Sequence, residues 1–453
     1  MKNLKITILC FLVFAINSYG QTIQDIINQV NLDALVLTVN EFSGEQSVVV
    51  NGMTETIINR QQANNNLAAD YLVQRFNQLD NITVTAQQFD GNGRNIIATQ
   101  IGKTNPNNIY IICAHYDTVA DYCADDNASG TATIIEIARI LSTQCLDNTI
   151  VYALWDEEEN GLNGSRAYAI EAVTNGDNIL GVLNIDMMAY DGDGDKSIDI
   201  DIHQNDAASL AMSNDIVSVF NTYTFDLNIN IINPGTELSD HSSFWNRGFP
   251  AVLVGEAWSE GDENNEYHSM DDRISNFNLP YYHEMAKLIM GYMVTKAGLI
   301  AIDNTVTQTI TTLTSNETSG LYQWINCDTD TAISGAVNQS FMPTVNGNYA
   351  VEITSGTCTE RSECILFDTL NLDTFSQTEI TIYPNPVKNK LNIEIAFKAN
   401  FSYNLYDVSG KLILQEQSDK KKTSLDVNHL AKGVYFLNIS TSQKSRTYKV
   451  IKE

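Results

Sequence analysis

The chain carries little positive charge, no later apolar run long enough to cross a membrane, no paired C-x-x-C and no internal repeat. Lys and Arg number 26 against 55 Asp and Glu, a net charge of −29. A body this acidic repels phosphates, which excludes nucleic acid as a partner and favours cations, although most of these carboxylates read as solvated surface. The lack of an apolar stretch of roughly 20 residues excludes a transmembrane helix. The lack of C-x-x-C excludes the usual cysteine-based structural zinc site. Histidine is scarce too, at six residues, so each one can be weighed as a ligand.

The length of 453 residues, 43% of them hydrophobic, predicts two to three folded units. Residues 1–20 begin Met1-Lys2, run apolar from Ile6 to Ile16 and end Ser18-Tyr19-Gly20, the pattern of an export signal, so the mature protein is expected outside the cytoplasm. Removal of that segment takes Cys10 with it and leaves Cys113, Cys123 and Cys145 in one block and Cys327, Cys358 and Cys364 in another. Export permits their oxidation, but spacing does not fix the pairing.

Between Asp25 and Lys296, β-branched runs alternate with helical-period stretches. Strands are expected at Ile109–Ala114, Ile150–Trp155, Leu180–Ile185 and Ala251–Val254, and helices at Thr131–Leu141, Ser165–Ala172, Ala207–Thr222 and Tyr281–Lys296. This alternation predicts an α/β fold, a three-layer α/β/α domain with a mixed, mainly parallel sheet over residues 21–300. After Leu299 the composition turns to Thr, Ser and Asn. Short strands at Thr305–Leu313, Leu321–Ile325 and Tyr349–Ile353 predict a small β-sandwich over 303–370 anchored by Trp324. Residues 379–453 form a further β-rich module. They hold 12 Lys/Arg and 7 Asp/Glu, or +5, which leaves −34 for the rest.

Open α/β sheets place their sites beyond the carboxyl ends of the strands. His115 follows the first expected strand, the run Asp156-Glu157-Glu158-Glu159 follows the second and Asp186 follows the third. His115 and Asp117 share one side of an extended segment, so the carboxylate can fix the imidazole tautomer. Asp125-Asp126 precedes a helix that opens on small residues, and spacing alone does not separate the two acids from each other or from an ordinary helix cap. Four acids at a strand end repel one another without cations. One Glu of that run can ligate while its neighbour acts as base. Asp186 is a lone acid in an apolar run, which is costly unless it is paired or ligated. Ser239-Asp240-His241 supplies a second imidazole in a polar setting, whereas His283 reads as structural. Asp191-Gly192-Asp193-Gly194-Asp195 opens like a calcium loop, but Lys196 and Ile202 stand where that loop needs Gly and Glu. A solvated acidic turn is the main reading there, and a structural Ca2+ is the alternative.

Taken together, His115-x-Asp117-Thr118, Asp125-Asp126-Asn127-Ala128-Ser129-Gly130, Glu158-Glu159-x-Gly161-Leu162-x-Gly164-Ser165, Ile185-Asp186-Met187 and Ser239-Asp240-His241 resemble the di-zinc aminopeptidases of the bacterial leucyl-aminopeptidase type. The resemblance spans about residues 65–300. It implies two Zn2+ per chain, with Asp126 bridging, His115 and Asp186 on one ion, Glu159 and His241 on the other, Asp117 behind His115 and Glu158 as general base. It also implies a peptide kink after Asp126 and a peptide substrate held by its free N-terminus. The aromatic that often precedes the second His in such enzymes has no match in Gly235-Thr236-Glu237-Leu238. Residues 303–370 look like an immunoglobulin-like module. Residues 379–453, with Tyr383-Pro384-Asn385-Pro386 and Ala431-Lys432-Gly433-Val434-Tyr435, are similar to the C-terminal sorting domains of type IX secretion cargo, which implies the type IX machinery as a partner and release or attachment at the cell surface. The competing readings are a carboxypeptidase, a single-metal glutaminyl cyclase, or a non-catalytic binding protein on a peptidase-like fold.

Overall fold

The computed structural model describes residues 22–453 apart from 62–64, 205, 356–357, 369–378, 397–399 and 442–443. The expected export signal lies outside the described residues. Two compact units emerge, one through Asp303 together with Ser355–Cys358, the other comprising Asn304–Thr354 and Thr359–Glu453. No described helix is long and apolar enough to cross a membrane.

The first unit contains strands β1 (Val48–Val50), β2 (Met53–Glu55), β3 (Thr83–Gln88), β4 (Arg94–Gln100), β5 (Asn105–His115), β6 (Asn148–Trp155), β7 (Ile179–Ile185), β8 (Ser197–Ile202), β9 (Asn228–Ile232) and β10 (Ala251–Glu256). Its helices are α1 (Ile23–Ile27), α2 (Leu32–Phe42), α3 (Asn66–Phe76), α4 (Gly130–Leu141), α5 (Asn163–Asn175), α6 (Ala207–Tyr223), α7 (His241–Trp245) and α8 (Leu279–Ala297). Eight strands form one sheet in the order β3-β4-β6-β5-β7-β10-β8-β9. The centre is parallel, β6 to β5 to β7 to β10, while β3, β4 and β8 join antiparallel neighbours.

The central strands are apolar on both faces because helices cover both. Ile111, Ile112, Leu154, Val182, Leu183 and Val254 are fully buried. Each such side chain contributes about 1.5–3 kcal/mol of burial free energy. The helices begin where short polar side chains can take the first free N–H groups. Asn31 caps α2, Asp206 caps α6, and Asn278, with a proline just inside the helix, caps α8.

Expected strands and helices appear within a few residues of their predicted ends, but β3, β4, β8 and β9 go beyond the sequence reading. The strand expected over Thr305–Leu313 divides into an antiparallel pair, Val306–Gln308 and Leu313–Ser315. Its cause is a turn in which the Thr309 hydroxyl accepts the N–H groups of Thr311 and Thr312. Residues 306–367 make a three-stranded and a five-stranded sheet, with Trp324 fully buried and stacked 5.5 Å from Phe341. Residues 380–452 make a three-stranded and a four-stranded sheet around a separate core that includes Leu391, Ile393 and Leu437. Cys145 bonds to Cys358 and Cys327 to Cys364, while Cys113 and Cys123 are buried thiols. Pairing across the two blocks thus accounts for the odd number of cysteines in each.

Candidate active site

Three parallel strands end at one edge, and each delivers part of the site. His115 is the last residue of β5, Asp156 follows β6 and Asp186 follows β7. His115 Nε2 lies 3.1 Å from Asp126 Oδ1 and 3.2 Å from Asp186 Oδ1. Its Nδ1 faces Asp117, 3.2 Å from the carbonyl oxygen and 3.6 Å from Oδ1. The Asp117 carboxylate also accepts the backbone N–H groups of Glu158 (3.0 Å) and Glu159 (3.2 Å), so one buried acid orients the imidazole and holds the acidic loop.

Asp126 sits at a sharp bend before α4, and its peptide bond to Asn127 is cis. Both Asp125 and Asp126 donate their N–H groups to Asp272, at 3.0 Å or slightly longer. Asn127 bridges the bend, donating to the Ile185 carbonyl and accepting from Gly130 N–H. A Cβ at Gly130 would lie 2.4 Å from Asn127 Oδ1 and 2.9 Å from the Ile185 oxygen, so only glycine fits there. Asp125 turns away and accepts the N–H groups of Met188 and Ala189. Beneath the bend, the fully buried Arg60 donates to the carbonyls of Phe42, Tyr116, Tyr122 and Cys123. Left-handed backbone at Cys123, Glu157, Met187 and His268 surrounds the group, a strain that surrounding contacts must hold in place.

The second imidazole of the cluster is His268, and the sequence reading of His241 needs correcting. His268 Nε2 lies 3.1 Å from Glu159 Oε2 and 3.3 Å from Asp126 Oδ2. His241 is fully buried at the start of α7, where its Nε2 pairs with the Thr236 carbonyl at 2.8 Å and its ring meets Trp245 edge-on. Burial pushes its pKa down to about 4. All five residues of α7 are buried, and the ring's hydrogen bond goes to the Thr236 carbonyl and not to the clustered acids. Tyr267 stacks on His268 with ring centroids 3.6 Å apart, so the aromatic missing before His241 stands directly before His268. A tyrosine-histidine pair in the polar stretch Glu266–Asp272 was the available signal.

Electrostatics set this group apart from a surface acidic patch. Burial, then Asp126 and other nearby acids, hold the Glu159 carboxyl up at about 9. Burial also pushes Glu158 well above the ordinary range, with Asp240 and Asp186 adding to it against His115. Asp186 is lowered, because His115 and the Ser239 hydroxyl, 2.7 Å away, outweigh the cost of its burial. Asp126 Oδ2 and Glu159 Oε1 are buried without a hydrogen-bond partner among the described residues. Ligating atoms of His115, Asp126 and Glu159 all lie within 4.8 Å of one another. Imidazole nitrogen and carboxylate oxygen, with orphaned oxygens and mutual repulsion, fit a divalent cation of the zinc type. The second acidic group, Asp191, Asp193 and Asp195, is a turn in which the carboxylates accept from Lys196, Asn278, Asp195 and Ser197.

The cluster opens into a cavity of about 570 Å³, within the size range of small-ligand sites. Glu158, Met187, Leu253, Trp258 and Tyr267 stand on its walls. The exposed Leu238 and the acids of β8 lie further along.

Comparison with known proteins agrees with this class of site. Residues 95–293 match Peptidase family M28, and residues 381–453 match the secretion system C-terminal sorting domain. The chain therefore carries a family M28 peptidase domain followed by a sorting domain of the type IX kind. A probable aminopeptidase of Saccharomyces cerevisiae is 29% identical over 231 residues, covering 47% of this chain and 60% of the relative. A probable leucine aminopeptidase of Arthroderma otae is 30% identical over 197 residues, covering 41% and 53%. The chain thus spans just over half the length of these relatives. The LapA aminopeptidase of Legionella pneumophila shares the fold, with a TM-score of 0.53 and 18% identity over 66% of this chain and 80% of that one.

Proposed function

We propose that this protein is an exported zinc aminopeptidase that removes amino-terminal residues from peptides with a free N-terminus. The observation that carries the reading is the bracketing of Asp126 by two imidazoles, His115 facing one carboxylate oxygen and His268 the other. His115 and Asp186 would hold one zinc, Glu159 and His268 a second, with Asp126 shared. Zinc held there supplies Lewis acidity and a water acidified toward neutrality.

The chain's own groups then divide the work. Glu158, only 9% exposed and on the cavity wall, accepts the proton of the attacking water and returns it to the leaving amine. Its burial keeps proton affinity high, as acceptance and return both require. Asp117 fixes the orientation of His115 and the Glu158-Glu159 backbone. Tyr267, kept protonated by burial and nearby acids, offers a phenol to the developing oxyanion. The acidic surroundings attract the cationic amino terminus of a peptide.

Metal analysis of the purified protein after zinc loading should return about two zincs per chain. The same preparation should release amino-terminal residues from blocked-at-C peptides and lose that activity to a chelator. A single zinc would favour the glutaminyl cyclase reading, carboxyl-terminal release a carboxypeptidase, and binding without turnover a binding protein. For export, residues 1–20 would act as the signal and 379–453 as the sorting module. A 21–378 variant should hydrolyse peptides normally, and deletion of 379–453 in the native host should trap the protein within the cell envelope.

A further inference from the structure

The cavity has a second acidic end that the catalytic group does not use. Strand β8 reads Ser-Ile-Asp-Ile-Asp-Ile, so Asp199 and Asp201 point to the same face two residues apart. Asp199 pairs across the sheet with Gly255, and Asp201 with Leu253 on β10 and Ile232 on β9. Asp199, Asp201, Ile232, Leu253 and Gly255 all line the cavity, so this part of the sheet is its floor. Gly255 keeps the floor open next to the cluster, since a Cβ there would lie 2.5 Å from the Asp186 carbonyl oxygen. Strand β8 is two strand spacings from β7, or about 10 Å, a distance that an extended side chain of a bound residue can bridge.

The two acids differ in what they already hold. Asp199 accepts from the Ser259 N–H at 2.6 Å, the Ser259 hydroxyl at 2.9 Å and Asn230 Nδ2 at 3.3 Å, so it is committed to the fold. Asp201 Oδ1 accepts the Thr236 N–H at 2.7 Å. Its Oδ2 has no hydrogen-bond partner among the described residues, although Asp201 is only 8% exposed. Among the described residues, neither lysine nor arginine lines the cavity. A neutral apolar side chain reaching this end would strip water from Oδ2 and return nothing, and an acidic one would be repelled by both carboxylates. An aliphatic stem with a cationic head satisfies the whole surface, the stem against Ile232, Leu253 and Trp258 and the head on Asp201.

We propose that this cavity selects peptides whose amino-terminal residue is lysine or arginine, with Asp201 receiving the cationic head and Asp199 adding its field from behind. The inference rests on the aminopeptidase reading above. The test compares kcat/KM of the zinc-loaded full-length mature chain on lysyl, arginyl, leucyl and glutamyl amidomethylcoumarins. Lysyl and arginyl substrates should exceed leucyl by at least about tenfold, and Asp201→Asn should lower the lysyl-to-leucyl ratio by roughly 10- to 100-fold, the size of a lost charge-assisted contact. A wild-type preference for leucyl, or a ratio unchanged in Asp201→Asn, would overturn the proposal. Calorimetric binding of lysine amide and norleucine amide to the wild-type protein gives a readout independent of turnover and of how the variant folds. Tighter binding of lysine amide supports the inference and equal binding overturns it. If none of the four substrates is hydrolysed, the aminopeptidase reading fails, and the calorimetric comparison still decides the preference of the cavity.

Discussion

His268 Nε2 stands 3.1 Å from the Glu159 carboxylate, joining a loop after the last strand of the sheet to the loop after β6. His268, its side chain 38% exposed, is the most exposed member of the group, and Tyr267 packs flat against it. This contact places an imidazole on the side of Asp126 opposite His115. The second half of the candidate metal centre therefore depends on a residue whose own loop has no regular structure.

His268→Ala should remove one zinc and lower kcat/KM by at least about 100-fold, more than the loss usual for an outer partner of a ligand. His241→Asn should retain both metals, because His241 Nε2 is committed to the Thr236 carbonyl and the ring packs edge-on against Trp245. Atomic absorption on the two dialysed variants checks the pair. Equal zinc loss in both, or loss confined to His241→Asn, would contradict the structural assignment.

Glu158→Gln should leave the zinc content unchanged and reduce kcat by about 10²–10⁴-fold, the usual contribution of a positioned acid-base group. Glu159→Gln should weaken zinc binding, since Glu159 faces His268 and carries a buried oxygen that has no hydrogen-bond partner among the described residues. Single-turnover rates and metal titrations measured side by side separate the two roles. Near-native turnover in Glu158→Gln would remove it from the mechanism.

Much of this site was legible because strand ends are legible. His115, Glu158, Glu159 and Asp186 each follow a β-branched run, and parallel strands bring their carboxyl ends to one edge. Asp126 was separable from Asp125 only through resemblance, because the two differ by where a single bent peptide aims them. His268 had no periodic element before it to announce it, and His241, beside Asp240 and Ser239, offered a more polar local setting. Strand β8 is hidden in the sequence for a related reason. Its alternating acids follow closely on the Asp191–Asp195 run, yet every one of its residues is buried. The cross-block cysteine pairing depends on tertiary proximity that spacing does not encode.

Arg60 should be among the most sensitive positions outside the cavity. Its guanidinium is fully buried and satisfies four backbone carbonyls that fix the approach to Asp126. Arg60→Leu should cost roughly 3–5 kcal/mol, because several buried acceptors would lose their donor at once. Arg60→Lys should recover only part of this, as an ammonium cannot reproduce the planar fork. Urea unfolding of both variants measures the order. A loss under about 1 kcal/mol for Arg60→Leu would show that water replaces the guanidinium, as at a surface site.

Acid should destabilise the protein through His241 even though this residue is not in the cluster. Burial lowers its pKa from 6.5 to about 4, so the unfolded chain binds more protons than the folded one between those values. Stability from this group is therefore present in full above about pH 6.5 and is lost as pH falls toward 4, by about 3 kcal/mol. Carboxyls with raised pKa act in the opposite direction over part of the same window, among them Asp240 at about 7 and Asp201 at about 6, both chiefly because of burial. The comparison must therefore be between variants and not along one curve. Unfolding free energies of wild type and His241→Asn, measured in urea at pH 7.5 and pH 4.5, should differ in such a way that acidification favours the variant by about 2–3 kcal/mol. A gap that does not change with pH would mean that His241 takes up its proton in the folded state, and its neutral, buried pairing with Thr236 would have to be abandoned.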